Sequence, residues 1–417
     1  MSLASFIRFL LLSLPLFLPF AQAKFVFFGV PLYLIELPIL LATLLFFGGI
    51  FSHQLKWKKL SSLEIGAGLA ASLFFLGAIL SFLHNPFSLT GLGMLKTWFL
   101  FPLLFVFLVI QIGWKEKDRE TLFLLWLCST GVVALGSLPF LLTGELTYDG
   151  RLAGWYASPN YLAATLVPGI LIALFFLWNQ RKNASLSWKY LVYSTLLVVF
   201  LVVLFATHSY GTWGALAVSA LFLVFSLWRA QNQRKMKWAL PGALVVIGIL
   251  TFISLESGNE KWKTLWSLEE RSSLHSRIMI WESARKMIAD EPFFGIGLGR
   301  FQAMYLEYQK YFPPYLEWAV PEPHNLYLAV WLSTGLVGLF GFFGLLYLAL
   351  KHLWKNIRKR GEGQEEMQSA LLALSLLLFY LLYGLIDTPY FKTDLAFSFW
   401  FLIALALSYK KNSPTGA

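Results

Sequence analysis

Charge is scarce in this chain and cysteine nearly absent. Of 417 residues only 13% are Asp, Glu, Lys or Arg, against 58% hydrophobic, which excludes a string of ordinary soluble domains. Cys128 stands alone, so no internal disulfide can form and cysteine usage marks no redox compartment. Acidic residues are the rarer sign, 22 against 33 basic, for a formal net charge of +11. Internal repeats are missing, as is any matching pair of broken hydrophobic segments in the two halves, which counts against a carrier built from repeats. There is no Asp-x-Asp pair to hold a divalent ion.

What is present is a series of apolar runs as long as the ~20 residues needed to cross a hydrocarbon core. They predict an all-α polytopic membrane protein, one integral membrane domain over 1–417. Helices are expected at about 4–22, 31–51, 63–83, 92–112, 121–142, 159–178, 189–206, 211–228, 238–255, 325–350, 368–386 and 395–409. Backbone polar groups in hydrocarbon must be satisfied internally, and a helix does that for such runs. The turns holding Lys56 to Lys59, Lys115 to Arg119, Arg181 to Lys189, Arg229 to Lys237, Lys351 to Arg360 and Lys410-Lys411 carry 20 of the 33 Lys and Arg. All six fall on one side of a twelve-span chain. The positive-inside bias makes that side cytoplasmic, with both termini inside. The basic charge is therefore a topology signal and implies no nucleic-acid partner. Arg8, the run after it and Ala21-Gln22-Ala23 resemble a signal peptide, but an uncleaved first span is expected.

The outer side carries the variety. Its largest feature, 256–323, lies between spans nine and ten and is too polar to cross. Within it Ser273 to Ala289 reads as an amphipathic helix with Ile278, Trp281, Ala284 and Ile288 on one face. A second short helix is expected from Arg300 to Tyr311, and the aromatics from Phe301 to Trp318 suit a surface at headgroup level. Gly295-Ile-Gly-Leu-Gly299 between the helices is a tight turn; it follows a helix and has no βαβ unit to make it a nucleotide loop.

His324 closes the loop in Pro-Glu-Pro-His-Asn, at the mouth of the next apolar helix. The positive end of that helix favours neutral imidazole, which can accept a proton as a general base; a capping or interfacial role is the alternative. Arg277, Arg151 and Lys96 are expected on the outer side, against the positive-inside bias. Such cations at membrane level suit a diphosphate, and guanidinium can grip its oxygens bidentately; headgroup snorkelling is the plainer role. His84, His208 and His275 also face outward, but none has a partner at metal-ligand spacing, so no metal site is expected. Glu282, Asp290, Glu291 and Glu322 read as solvated loop charges, one of which could assist His324.

Three stretches together resemble the O-antigen ligase and polymerase superfamily of bacterial membrane glycosyltransferases. One is Arg277-Ile-Met-Ile-Trp281-Glu-Ser-Ala284, running through Asp290-Glu-Pro292-Phe-Phe-Gly295 to Phe301. The second is His324-Asn325-Leu-Tyr327-Leu328 with Gly335-Leu-Val-Gly338-Leu339, and the third is Arg151-Leu-Ala-Gly154 with Ser158-Pro159-Asn160. The resemblance is sharpest over about 195–345. It implies a metal- and cofactor-independent, inverting transfer on the outer face of the cytoplasmic membrane. The implied donor is an undecaprenyl-diphosphate-linked glycan, the acceptor a hydroxyl on a lipid or glycan, and the surroundings membrane lipid. His324 would be the base and Arg277 the group stabilising the departing diphosphate, with Arg151 a second candidate. Lys96, Asn325, Trp281, Tyr210 and His208 are the remaining substrate-binding candidates. Family members commonly have a Ser-Arg-Gly-like element where this chain has Ser209-Tyr210-Gly211; Tyr210 replaces the arginine, and Arg151, Lys96 or His208 is left to supply the charge. Ligase, polymerase and protein-glycosylating transferase share this frame and differ in the acceptor. A lipid-linked-sugar or polysaccharide transporter is the reading from another class, and a scaffold for envelope assembly a third.

Overall fold

The computed structural model describes residues 2–27, 30–180, 187–230, 273–312, 320–358 and 363–409. Nine helices among these are long and apolar enough to cross a membrane, and two shorter apolar helices accompany them. The chain is an all-α polytopic membrane protein. The expected ninth span at 238–255, and residues 256–272 and 313–319 of the long loop, lie outside the described residues.

Two corrections fall at the N-terminal end. The first apolar run is α-helical only over α1 (Leu3–Ser13) and tightens to 3₁₀ turns over Leu14–Phe20. Pro15 and Pro19 lack the N–H that continued α-helix needs. The second expected helix starts late, because Lys24–Phe27 (β1) and Val30–Tyr33 (β2) pair as an antiparallel hairpin. Helix α2 (Glu36–Phe51) follows. Its Glu36 carboxylate is buried, accepting from Tyr33 N at 2.9 Å, from Thr97 Oγ1 at 2.6 Å and from Lys96 Nζ.

Helix α3 (Ser62–His84) opens with a capping box. Glu64 N donates to Ser61 Oγ at 3.3 Å and Ser61 N to the Glu64 carboxylate at 2.8 Å, satisfying two donors that a helix start leaves over. Next come α4 (Leu89–Met94), a π-helical turn over Leu95–Leu100, α5 (Phe101–Ile112), α6 (Glu116–Thr143), α7 (Pro159–Gln180), α8 (Trp188–Ala206) and α9 (Tyr210–Ala230). After the gap stand α10 (Ser273–Asp290), α11 (Phe301–Tyr308), α12 (Leu326–Arg358), α13 (Gln364–Tyr383) and α14 (Thr393–Ser408). Helix α14 is apolar and buried all round, Leu395 to Leu407 included, so it forms the centre of the bundle.

α12 lies against α3 along a seam of glycines. A methyl at Gly77 would come within 2.2 Å of Gly338 N, and one at Gly341 within 2.2 Å of Phe74 N. Lipid tails are as apolar as leucine, so close backbone packing of this kind, rather than a hydrophobic drive, holds spans together.

The connections gather on two opposite faces. On one, Arg8 Nε donates to Gly113 O at 3.2 Å, Arg119 Nη2 to Glu366 Oε1 at 3.1 Å, and Lys58 N to Gln111 Oε1 at 2.9 Å. On the other, Asn85 Nδ2 donates to Gly295 O at 3.2 Å and Arg151 Nε to Thr207 O at 2.7 Å; Arg277 Nε reaches Ile386 O at 3.1 Å. Every expected site residue near His324 belongs to this second face.

Candidate active site

His324 stands in a short strap, 320–325, leading into α12. The strap lies antiparallel to the α13–α14 connection and is fastened to it by Leu326 N donating to Gly384 O at 2.7 Å and Asn325 Nδ2 donating to Leu385 O at 3.0 Å. Asn325 Oδ1 meanwhile caps α12, accepting from Tyr327 N and Leu328 N at 3.0 Å each. The side chain expected to touch substrate is thus engaged in holding the strap. His324 has φ +47°, a left-handed backbone that an imidazole-bearing residue adopts only when its surroundings fix it. Its Nδ1 lies 3.4 Å from Asp387 Oδ1, and its side chain is 29% exposed.

Asp387 is the hub. Its carboxylate is buried, and its Oδ1 accepts from Thr388 N at 2.8 Å. Oδ2 accepts from Tyr383 OH at 3.0 Å and from Asn160 Nδ2 at 3.2 Å. Burial alone would raise this carboxyl. The hydrogen bond and charge of His324, the Arg277 guanidinium and the Thr388 N–H outweigh that and hold it well below the usual carboxylate range. Asn160 Oδ1 in turn accepts from Arg151 Nη2 at 2.7 Å and Ser209 Oγ at 3.0 Å. An unbroken polar line therefore runs from His324 through Asp387 and Asn160 to Arg151 and the α8–α9 turn.

Arg151 comes from the α6–α7 connection. Its Nε–H donates to Thr207 O, and its Nη1 lies 3.6 Å from Asp149 Oδ2. Burial pulls its guanidinium below the ordinary value, Asp149 and Tyr383 oppose this, and nearby Arg277 adds to the lowering. The two guanidiniums are near enough for their charges to oppose one another.

Arg277 is carried by α10. The buried stripe of this helix is Ile280, Ala284, Met287 and Ile288, packed on Ile296, Phe301, Tyr305, Val320 and Leu332. The face is rotated slightly from the expected one: Ile278 and Trp281 are half-buried, and Arg277 lies at the margin. Trp281 Nε1 donates to His324 O at 3.3 Å, so it steadies the strap. Phe301 and Tyr305, expected at the lipid surface, turn into this cluster instead because it offers α10 an apolar partner.

Other expected residues sit differently. Lys96 is engaged with Glu36 and lies over the Tyr33 and Phe101 rings at 5.7 and 5.2 Å. His208, with φ +44°, and Tyr210 belong to the turn that receives Arg151, and the His208 ring packs 5.7 Å from Phe205. His84 stacks on Phe294 at 4.4 Å and faces Glu291 at 3.5 Å. Among the described residues no group of three or more His, Cys, Asp or Glu is arranged to hold a metal ion. Glu322, read as a solvated charge, is buried on Thr388 and Lys392. Asp387, Tyr383 and Asn160 were not singled out as site residues. Asp387 has only the signal of an acidic residue at the outer end of an apolar run, and Asn160 only its place in the Ser158-Pro159-Asn160 stretch; neither names a partner.

Residues 195–343 match the O-antigen ligase family. Over 222 residues the chain is 27% identical to the O-antigen ligase of Salmonella typhimurium strain LT2. Over these stretches the chain is similar to the O-antigen ligase family. The alignment takes in 51% of this chain and spans about half the length of that curated relative, 51%. His324, Arg277 and the 207–210 turn fall inside the matched family region, whereas Arg151, Asn160 and Asp387 fall outside it.

Proposed function

We propose that the chain transfers a glycan from undecaprenyl diphosphate to an acceptor hydroxyl, on the extracytoplasmic face of the cytoplasmic membrane, with inversion and without a metal ion. The observation that carries this reading is the polar line from His324 through Asp387 to Arg151, with Arg277 beside the same carboxylate. Asp387 takes the His324 Nδ1 side, so the proton sits there and Nε2 keeps a lone pair. The partly exposed ring can then accept the acceptor's hydroxyl proton. As the acceptor oxygen bonds to the anomeric carbon from the face opposite the diphosphate, the carbon–oxygen bond to the diphosphate breaks. Undecaprenyl diphosphate departs with the bonding electron pair, and the proton rests on Nε2.

Negative charge grows on that leaving group, and preorganised cations act where charge develops. Arg277 and Arg151 supply two in this proposal. Arg151 Nε–H reaches Thr207 O, which supports Arg151 as the cation that serves the turn where Tyr210 stands. Lys96 takes no part, since Glu36 neutralises it. A ligase would deliver the glycan to a lipid-borne acceptor and a polymerase to another glycan; the donor half is common to both.

The test is reconstitution in proteoliposomes with an undecaprenyl-diphosphate glycan and identification of the labelled acceptor. His324→Ala should abolish transfer while the protein still inserts. Arg277→Lys should lower turnover by about 100-fold, as for loss of one transition-state donor, because an ammonium cannot reproduce a planar two-point grip. Full turnover in either variant removes that residue's role.

A further inference from the structure

Two residues before His324, a second junction ties the strap to the α13–α14 connection. Glu322 is 9% exposed and lies between Pro321 and Pro323. Its Oε2 accepts from Thr388 Oγ1 and its Oε1 from Lys392 Nζ. Lys392 in turn lies over the Tyr161 ring, 4.5 Å from its centre, next to Asn160. The strap and the connection therefore meet like two halves of a zipper: Glu322 on Thr388, His324 on Asp387, Asn325 on Leu385 and Leu326 on Gly384. The His324 contact is the longest of these at 3.4 Å, and its backbone is the strained one. Flanking contacts must hold an unfavourable backbone in place. Asn325 and Leu326 act on the downstream side, and Glu322 is the matching anchor upstream.

We propose that Glu322, fixed by Lys392 and Thr388, is a positioning residue that keeps the His324 imidazole on Asp387. The ion pair touches no reacting atom; it acts through the strap. Removing it lets the imidazole leave Asp387, so its proton no longer stays on Nδ1 and Nε2 is no longer reliably free. This rests on the reading of His324 as the base, and the test separates the two.

A buried ion pair can be replaced by apolar groups of similar volume with little loss of stability, so the double variant Glu322→Leu with Lys392→Met removes the clamp without leaving a lone buried charge. Its kcat should fall by about 10- to 100-fold, as misplacement of a catalytic group does, with the donor KM changed less than about twofold. Glu322→Gln keeps one oxygen to accept from Lys392 Nζ and turns its amide N–H to the Thr388 hydroxyl, which can accept, so it should retain turnover within about fivefold of the parent. Independently of turnover, ¹⁵N-histidine NMR of the whole protein in bilayers, with His324 assigned from the His324→Ala spectrum, should show one fixed tautomer in the parent and in Glu322→Gln. The double variant should show exchange between tautomers. An unchanged tautomer in the double variant overturns the clamp, as does a loss confined to donor KM, which would make Lys392 a cation for the diphosphate. If the parent transfers no glycan, the base reading fails and the NMR comparison alone decides the clamp.

Discussion

Asp387 shows how one buried carboxylate organises several residues. Taking such a charge out of water costs several kcal/mol, and here Thr388 N, Tyr383 OH, Asn160 Nδ2 and His324, with Arg277 nearby, offset it. Because its folded value is depressed, its contribution to stability is present above the ordinary carboxylate value of about 3.9 and is lost as pH falls below that toward the folded one. The carboxylate therefore stays charged through the neutral pH range. Asp387→Asn removes the carboxylate that faces His324 Nδ1. Turnover should fall by about 100-fold or more as the tautomer is lost. The transfer assay on the purified variant checks this, and unchanged turnover would separate Asp387 from His324. His324 was legible in the sequence because a histidine after Pro-Glu-Pro at a helix mouth has a local signature. Asp387 was not, since its partner is 63 residues away.

Helix α12 carries a device that only its geometry displays. At Gly335 the backbone leaves the helix, with φ +63° and ψ −171°, and the turn after α10 fills the break. Leu336 N donates to Phe293 O at 3.0 Å, Ile296 N to Leu332 O at 2.8 Å, and Trp331 Nε1 to Pro292 O at 2.8 Å. The helix that bears Arg277 is thereby fastened to the one that follows His324. A methyl at Gly335 would meet Phe293 O at 2.0 Å in a backbone region open in practice only to glycine. Gly335→Ala should therefore destabilise the protein by about 1–3 kcal/mol or more and lower turnover by loosening Arg277 relative to His324. Thermal unfolding in detergent, beside the transfer assay, checks this; an unchanged midpoint would mean the break is not fixed. The Gly335 to Leu339 stretch was noticed in the sequence, but hydrogen bonds to a turn some 40 residues earlier leave no periodic trace.

Across the whole molecule the two faces differ in kind. One holds His324, Asp387, Arg151 and Arg277; the other holds the Lys56 to Lys59 and Lys115 to Arg119 turns. With the positive-inside bias, the first face is expected outside the cell membrane and the second in the cytoplasm. Cys128 is the one native thiol, so a Cys128→Ala background permits labelling at chosen sites. A cysteine placed at the exposed Tyr148 should react with an impermeant maleimide in intact cells. One placed at the exposed Lys117 should react only after permeabilisation. The reverse pattern would turn the polar line toward the cytosol and remove access to an exported donor.

Apolar run length was enough to determine a multi-pass helical bundle, because hydrocarbon thickness acts on local stretches of chain; His324, Arg277 and Arg151 stood out as candidates only from the loop-end histidine and from arginines expected on the outer side. Which carboxylate meets the histidine, which way α10 turns its apolar stripe, and where α12 breaks were decided in three dimensions. Those outcomes depend on burial and on hydrogen bonds between segments far apart in sequence, where a polar group's partner is chosen by packing.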